Sequence, residues 1–295
     1  MDPCGKEQGR DCNLVKNLSG WNGILAAIKI HIKELFDTRE LEVRSPEKSF
    51  DHRETTDRIQ RAMLLLHWLL VKHVCVVTVE VENLGDIIQL SSAKLLAAYL
   101  QNTGCLKVAT LNLRAKHDSE KVLLNSIARN TSMTILCVEN WCLSQWSAQI
   151  LADLVCSSKR YHSLTYNCES KVPEKAFVSR LSASIQSNYT LVSVRTYERK
   201  ENSKNWAIIQ NAATRNAAFL ERAARLVSGL STNIVDAEDL ALVASSPLLP
   251  LRVSEMAAVS ECEAAHMIRR TIRKLRDLDA VMGITAIDWD SVTCA

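Results

Sequence analysis

Apolar residues in the middle of the chain recur in a fixed register. With Asn102, Asn130, Ser158 and Asn188 as reference positions, the gaps are 28, 28 and 30 residues. Seven residues before each reference lie Leu95, Leu123, Leu151 and Leu181, and three before lie Tyr99, Ile127, Val155 and Ile185. Those offsets differ by four, which is one face of a helix. Three residues after each lie Cys105, Met133, Tyr161 and Leu191, and six after lie Val108, Leu136, Leu164 and Val194. These two offsets begin β-prone stretches at 107–113, 134–139, 163–167 and 192–197. Upstream, Leu64, Trp68, Val74 and Val77 fit the same offsets around Val71, and a strand is predicted over 76–81. Downstream, Ile209, Ala213 and Phe219 fit around Asn216, after which the strand pattern stops. A helix and a strand every 28 or so residues predict about five stacked units. No such unit buries its apolar face alone, so its neighbours must supply the core.

The flanks read differently. Ile24, Leu25, Ile28, Ile30, Ile32 and Leu35 predict a helix over about 22–36. Residues 38–53 are dense in charge and hold Pro46, which predicts a loop, and a new helix starts near Thr55 or Thr56. Residues 217–229 look helical with Gly229 at the stop, 236–243 read as a short helix, and 254–282 carry Ile268, Ile272, Leu275 and Leu278 on one helical face. The expected division is an N-terminal helix and charged loop over 1–53, a repeat region over 54–216, and a helical tail or cap over 217–295.

The strand halves Met133-Thr-Ile-Leu136-Cys-Val138, Tyr161-His-Ser-Leu164-Thr-Tyr166 and Leu191-Val-Ser-Val194-Arg-Thr196 approximate L-x-x-L-x-L. Leu106, Ala109, Leu111 and Leu113 fit the same pattern one residue late. With the helical half around 120–132, this resembles leucine-rich repeats of the ribonuclease-inhibitor type over roughly residues 54–220. It also resembles the divergent leucine-rich-repeat proteins labelled as relatives of NLR receptors with a CARD domain. The resemblance implies an α/β solenoid of degenerate units with helical flanks. It further implies a non-catalytic, cytoplasmic scaffold that binds a protein on its concave strand face. The family places Asn or Cys three residues beyond the strand motif, whereas Trp141 and Glu169 stand there in this chain. No G-x-x-x-x-G-K-[ST] occurs, and nothing marks the N-terminus as a CARD.

Composition agrees with a helix-rich globular chain. Glycine is 8 and proline 5 of 295 residues, well below the usual ~7% and ~5%, which disfavours all-β and low-complexity classes. The net charge of +3 lacks the density that nucleic acid demands. The N-terminus holds no apolar stretch of secretory type, and the longest apolar run, 62–71, is too short to span a bilayer. Ten cysteines are scattered without a C-x-x-C pair, which reads as buried structural thiols in a reducing compartment, with a metal or disulfide role as the alternative. Sequons at Asn17, Asn130 and Asn188 are therefore expected to stay unglycosylated.

Catalytic and metal-binding spacings are missing: there is no H-x-x-x-H, G-x-S-x-G or G-x-G-x-x-G. No cofactor or metal is expected. Glu80, Glu139, Asn167, Arg195 and Tyr197 occupy strand positions between the apolar ones, with Thr78, Ala109, Cys137 and Thr165. They suggest a polar strip for an unidentified protein partner. Arg269, Arg273 and Arg276 share a basic face in the tail that suits an acidic partner. Trp141 and Trp146 belong either to the core or to a partner-facing edge. Two alternatives stand beside the scaffold. One is an adaptor or substrate receptor in a ubiquitin-ligase or innate-immune assembly. The other is an enzyme with its site in the tail.

Overall fold

A computed structural model describes residues 4, 12–28, 30–35, 40–44, 64, 67, 71, 73–82, 87–115, 117–141, 143–168, 170–196, 204–282, 287, 289 and 292. The chain divides into two compact units. The first comprises Met1–Leu154, Leu164–Arg180 and Arg195–Glu201; the second comprises Val155–Ser163, Leu181–Val194 and Asn202–Ala295.

Up to residue 196 the chain is α/β, most of it in the first unit. Short helices α1 (Asn13–Lys16) and α2 (Leu18–Leu25) lead into strands β1 (His31–Leu35), β2 (Glu40–Arg44) and β3 (Val76–Glu82). Then helix and strand alternate: α3 (Leu90–Asn102), β4 (Val108–Asn112), α4 (His117–Arg129), β5 (Ile135–Glu139), α5 (Gln145–Ser157), β6 (Ser163–Asn167), α6 (Lys171–Ser184) and β7 (Ser193–Thr196). The seven strands form one sheet in chain order. β1 and β2 are antiparallel, while the pairs β2–β3, β3–β4 and β4–β5 are parallel. Strands that follow one another in order through right-handed crossovers receive every connecting helix on the same face. Burial agrees: β4, β5 and β6 each alternate half-buried and buried residues.

The helix expected over 22–36 is not formed. The helix stops at Leu25, a 3-10 turn follows over Ala26–Ile28, and residues 31–35 are a strand. Ile30 and Ile32 are buried while His31 and Lys33 face solvent, so the local period is two. β-branched isoleucines at alternate positions favour that outcome. Asn22 fixes the reversal, its Nδ2 donating to the Ile32 carbonyl at 2.9 Å and its Oδ1 accepting from the Ile32 amide at 2.8 Å. The loop expected over 38–53 likewise contains β2; its residues 45–53, and the helix start near 55, lie outside the described residues. Leu64, His67 and Val71 are helical.

The repeat register is visible as burial. Leu123, Leu151 and Leu181, then Ile127, Val155 and Ile185, then Met133, Tyr161 and Leu191, then Leu136, Leu164 and Val194 are all buried. The unit around Asn102 is offset by one: Leu96, Leu106 and Ala109 are buried where Leu95, Cys105 and Val108 are only half-buried. Ala109, expected on the outer face, therefore points into the core, and Val108, Thr110 and Asn112 take the outer positions.

Two reference asparagines bind one turn to the next. In the first unit, Asn130 Nδ2 donates to the carbonyls of Leu100 at 2.6 Å and Thr103 at 3.2 Å. Its Oδ1 accepts from the amides of Ser132 at 2.9 Å and Met133 at 2.7 Å. In the second unit, Asn188 Nδ2 reaches the carbonyls of Val155, Cys156 and Ser158, and its Oδ1 accepts from the amides of Thr190 and Leu191. Asn102 is exposed and folds back on the Ala98 carbonyl. Both buried asparagines stand in sequons, so the folded chain offers neither amide nitrogen to a glycan.

The second unit is helical, with α7 (Lys204–Val227), α8 (Ile234–Val243), α9 (Leu249–Ala257) and α10 (Glu261–Met282). Asn216 lies inside α7 rather than at a helix end. Its Nδ2 still donates to the carbonyls of Asn188 and Leu191, both at 2.9 Å. No free amide follows it, because the helix continues, and its Oδ1 takes the Arg215 guanidinium instead at 2.9 and 3.1 Å. Gly229 adopts φ +75 two residues past α7, as a left-handed stop requires. The helix expected over 254–282 is broken at Ala258, which adopts φ 54. A core of Leu220, Leu240, Leu249, Val253, Ile268 and Trp289 holds the four helices, while Leu278 is exposed.

Candidate functional site

The face of the sheet away from the helices carries side chains with no core duty. Register places Glu80, Thr110 and Cys137 in one row across β3, β4 and β5, and Asn112 and Glu139 in the next. Arg44 stands beside Glu80 on β2, its Nε 2.8 Å from Glu42 and 3.0 Å from Glu80. Half of the Arg44 side chain is exposed, so this pair is screened and fixes geometry more than stability. Asn167 is half-buried on β6 and Arg195 is exposed on β7. Tyr197 lies outside the described residues. The strip is thus acidic over β2–β5, with Arg195 toward the β7 edge.

Beyond the end of β5 the chain turns through Asn140, at φ 51, a region asparagine tolerates well. Its Nδ2 donates to the Asn112 Oδ1 at 2.9 Å, one repeat away. That turn drives Trp141 into the core with no exposed surface, whereas Trp146, on α5, is half exposed. Glu120, buried near the start of α4, accepts from the Ser147 hydroxyl at 2.8 Å and the Ser144 amide at 3.3 Å. Ser144 in turn caps α5, its hydroxyl accepting from the Ser147 amide at 3.1 Å.

Cys137 sits among these acids, and its Sγ donates to Glu139 Oε1 at 3.3 Å. Burial first, then the Glu139 hydrogen bond and charge, push its thiol up to about 12. The reactive thiolate is then on the order of a thousandfold scarcer at pH 8 than in an ordinary thiol. Iodoacetamide at pH 8 should therefore modify the exposed Cys262 well before Cys137, and Glu139→Gln should accelerate labelling of Cys137. Equal rates at the two cysteines by peptide mass spectrometry would contradict this reading.

A second cluster unites residues that the sequence keeps far apart. Cys4, Cys12, His73 and Cys75 are all buried, and one ligand atom from each lies within 4.8 Å of the others. Cys4 Sγ is 3.7 Å from Cys75 Sγ, Cys75 Sγ is 3.3 Å from Cys12 Sγ, and Cys12 Sγ is 3.3 Å from His73 Nδ1. The Cys75 thiol and the His73 ring draw the Cys12 thiol down to about 3 against the cost of burial, while Cys12 and burial push Cys75 up. His73 Nε2 is buried without a hydrogen-bond partner among the described residues. No C-x-x-C announces this group; the available signal is His-x-Cys at 73–75, ahead of a strand, together with two cysteines near the N-terminus.

In the tail, Arg269, Arg273 and Arg276 are exposed along α10; Arg273 lies opposite Ala264 and Ile268, whereas Arg276, four residues after Ile272, borders the buried face. Arg269 contacts His266 Nδ1 at 3.1 Å, and Arg276 donates to the Trp289 carbonyl at 3.3 Å. Among the described residues no helix is long and apolar enough to cross a membrane.

No family model matches the sequence, and no curated protein matches it either. Among solved structures, the chain is similar to the one titled leiomodin-1 actin-binding site 2 at 14% identity and a TM-score of 0.41, over 48% of this chain and 82% of that one.

Proposed function

We propose that this protein is a non-catalytic interaction scaffold: a degenerate leucine-rich-repeat solenoid that takes a protein partner on its strand face. The carrying observation is the in-register polar row of Glu80, Thr110 and Cys137, flanked by Asn112 and Glu139, on the face opposite the helices. One covered face and one open face per strand are what stacked helix–strand units produce, and open faces of this kind serve recognition. Acidic side chains over β2–β5 favour a basic patch on the partner, with Arg195 as a separate anchor.

The test uses quantitative affinity capture with three full-length baits: wild type, Glu139→Lys with Arg195→Glu, and Arg225→Glu on α7 as a control. A partner captured by wild type and the control, and at least about tenfold less by the face variant, is the expected result. A partner retained equally by all three moves binding off the strand face and overturns the proposal.

A further inference from the structure

We propose that Cys4, Cys12, His73 and Cys75 form a structural zinc site that ties the residues around α1 to the start of β3. Three sulfurs and one imidazole nitrogen are a set that tetrahedral zinc takes in closed, structural sites. With Zn–S near 2.3 Å and Zn–N near 2.0–2.1 Å, a tetrahedron has S···S edges of about 3.8 Å and S···N edges of about 3.6 Å. The Cys4–Cys75 distance of 3.7 Å matches the S···S edge, the Cys12–His73 distance of 3.3 Å is a few tenths short of the S···N edge, the Cys75–Cys12 distance of 3.3 Å is about half an ångström short, and every pair stays inside 4.8 Å. Softness of the donors selects zinc over magnesium, calcium or manganese. Four protein ligands leave no open position for water or substrate, so the role is structural rather than catalytic.

A disulfide explains the cluster less well. Any pairing of two cysteines strands the third thiol and the imidazole in a buried place. Zinc uses all four donors. Its binding requires thiolates, so protons still held by the thiols leave for solvent and affinity rises with pH. The ligands also close long stretches of chain: Cys4 and Cys75 are 71 residues apart, and Cys12 lies 61 residues from His73. The effect reaches the sheet, because the Cys75 carbonyl accepts from the Leu41 amide of β2 at 2.7 Å.

The experiment uses the full chain, purified under reducing conditions. Zinc is counted by plasma mass spectrometry, and its ligands are read by X-ray absorption at the zinc edge. The expected result is one zinc per chain with three sulfurs and one nitrogen, lost in Cys75→Ser and His73→Ala but kept in Cys262→Ser. Stripping with a chelator should lower Tm, and added zinc should restore it. The wild-type spectrum does not depend on whether a variant folds. A reduced, folded chain that takes up no zinc overturns the proposal. So does zinc in a shell without three sulfurs, or a disulfide found among the three thiols in place of metal.

Discussion

Replacing Asn130 by aspartate is expected to destabilise the chain by about 3–5 kcal/mol, more than replacement by alanine. The wild-type amide makes four backbone hydrogen bonds in a place without solvent. Each contributes about 1 kcal/mol net, and each buried group left unpaired costs about 1–3 kcal/mol. Alanine strands the Leu100 carbonyl and two amides, while the Thr103 carbonyl keeps the Ser132 hydroxyl at 3.2 Å. Aspartate keeps the amides satisfied but turns a carboxylate oxygen toward the carbonyls of Leu100 and Thr103, where two acceptors repel. Urea unfolding checks it: the midpoint falls for Asn130→Ala and further for Asn130→Asp. A loss below about 1 kcal/mol for the aspartate variant would mean that the turn relaxes or admits water.

The second large effect is at Trp141. Trp141→Ala should cost about 3–5 kcal/mol through lost burial and the cavity that remains. Trp141→Phe should cost much less, about 1–2 kcal/mol, for a reason beyond size. The indole Nε1 is buried with no hydrogen-bond partner among the described residues, and phenylalanine removes that orphan donor. Calorimetry on both variants separates the two contributions. If phenylalanine proved as damaging as alanine, shape complementarity around the indole would outweigh the unpaired donor.

The helix–strand alternation is legible because a helix and a strand leave different periods in the same 28 residues. Leu123 with Ile127 marks the helix, and Leu136 with Val138 marks the strand. The one-residue slip at Ala109 is legible too, because Leu106 and Leu111 put Ala109 on the apolar side of the strand. The N-terminal strand was hidden by ambiguity: Ile24, Leu25, Ile28 and Ile32 satisfy a helical stripe as well as Ile28, Ile30 and Ile32 satisfy alternation. What decided it was Asn22 meeting Ile32, a contact ten residues apart that no periodicity encodes. The Cys/His cluster was the least legible feature. Its members come from both ends of a stretch of about seventy residues, and only the fold makes them neighbours.

The antiparallel pairing of β1 has a consequence for how far the sheet can grow. An ordered stack of parallel units is in principle an open-ended polymer, and its outermost strand is where another would add. At one end of this sheet that strand is β1, which runs against β2 and shows His31, Lys33 and Glu34 to solvent. A further unit arriving in the polarity of β3–β5 would meet β1 running the wrong way and lined with charge. The reversed strand thus closes the parallel run at β2 and leaves at that end an edge of the opposite polarity.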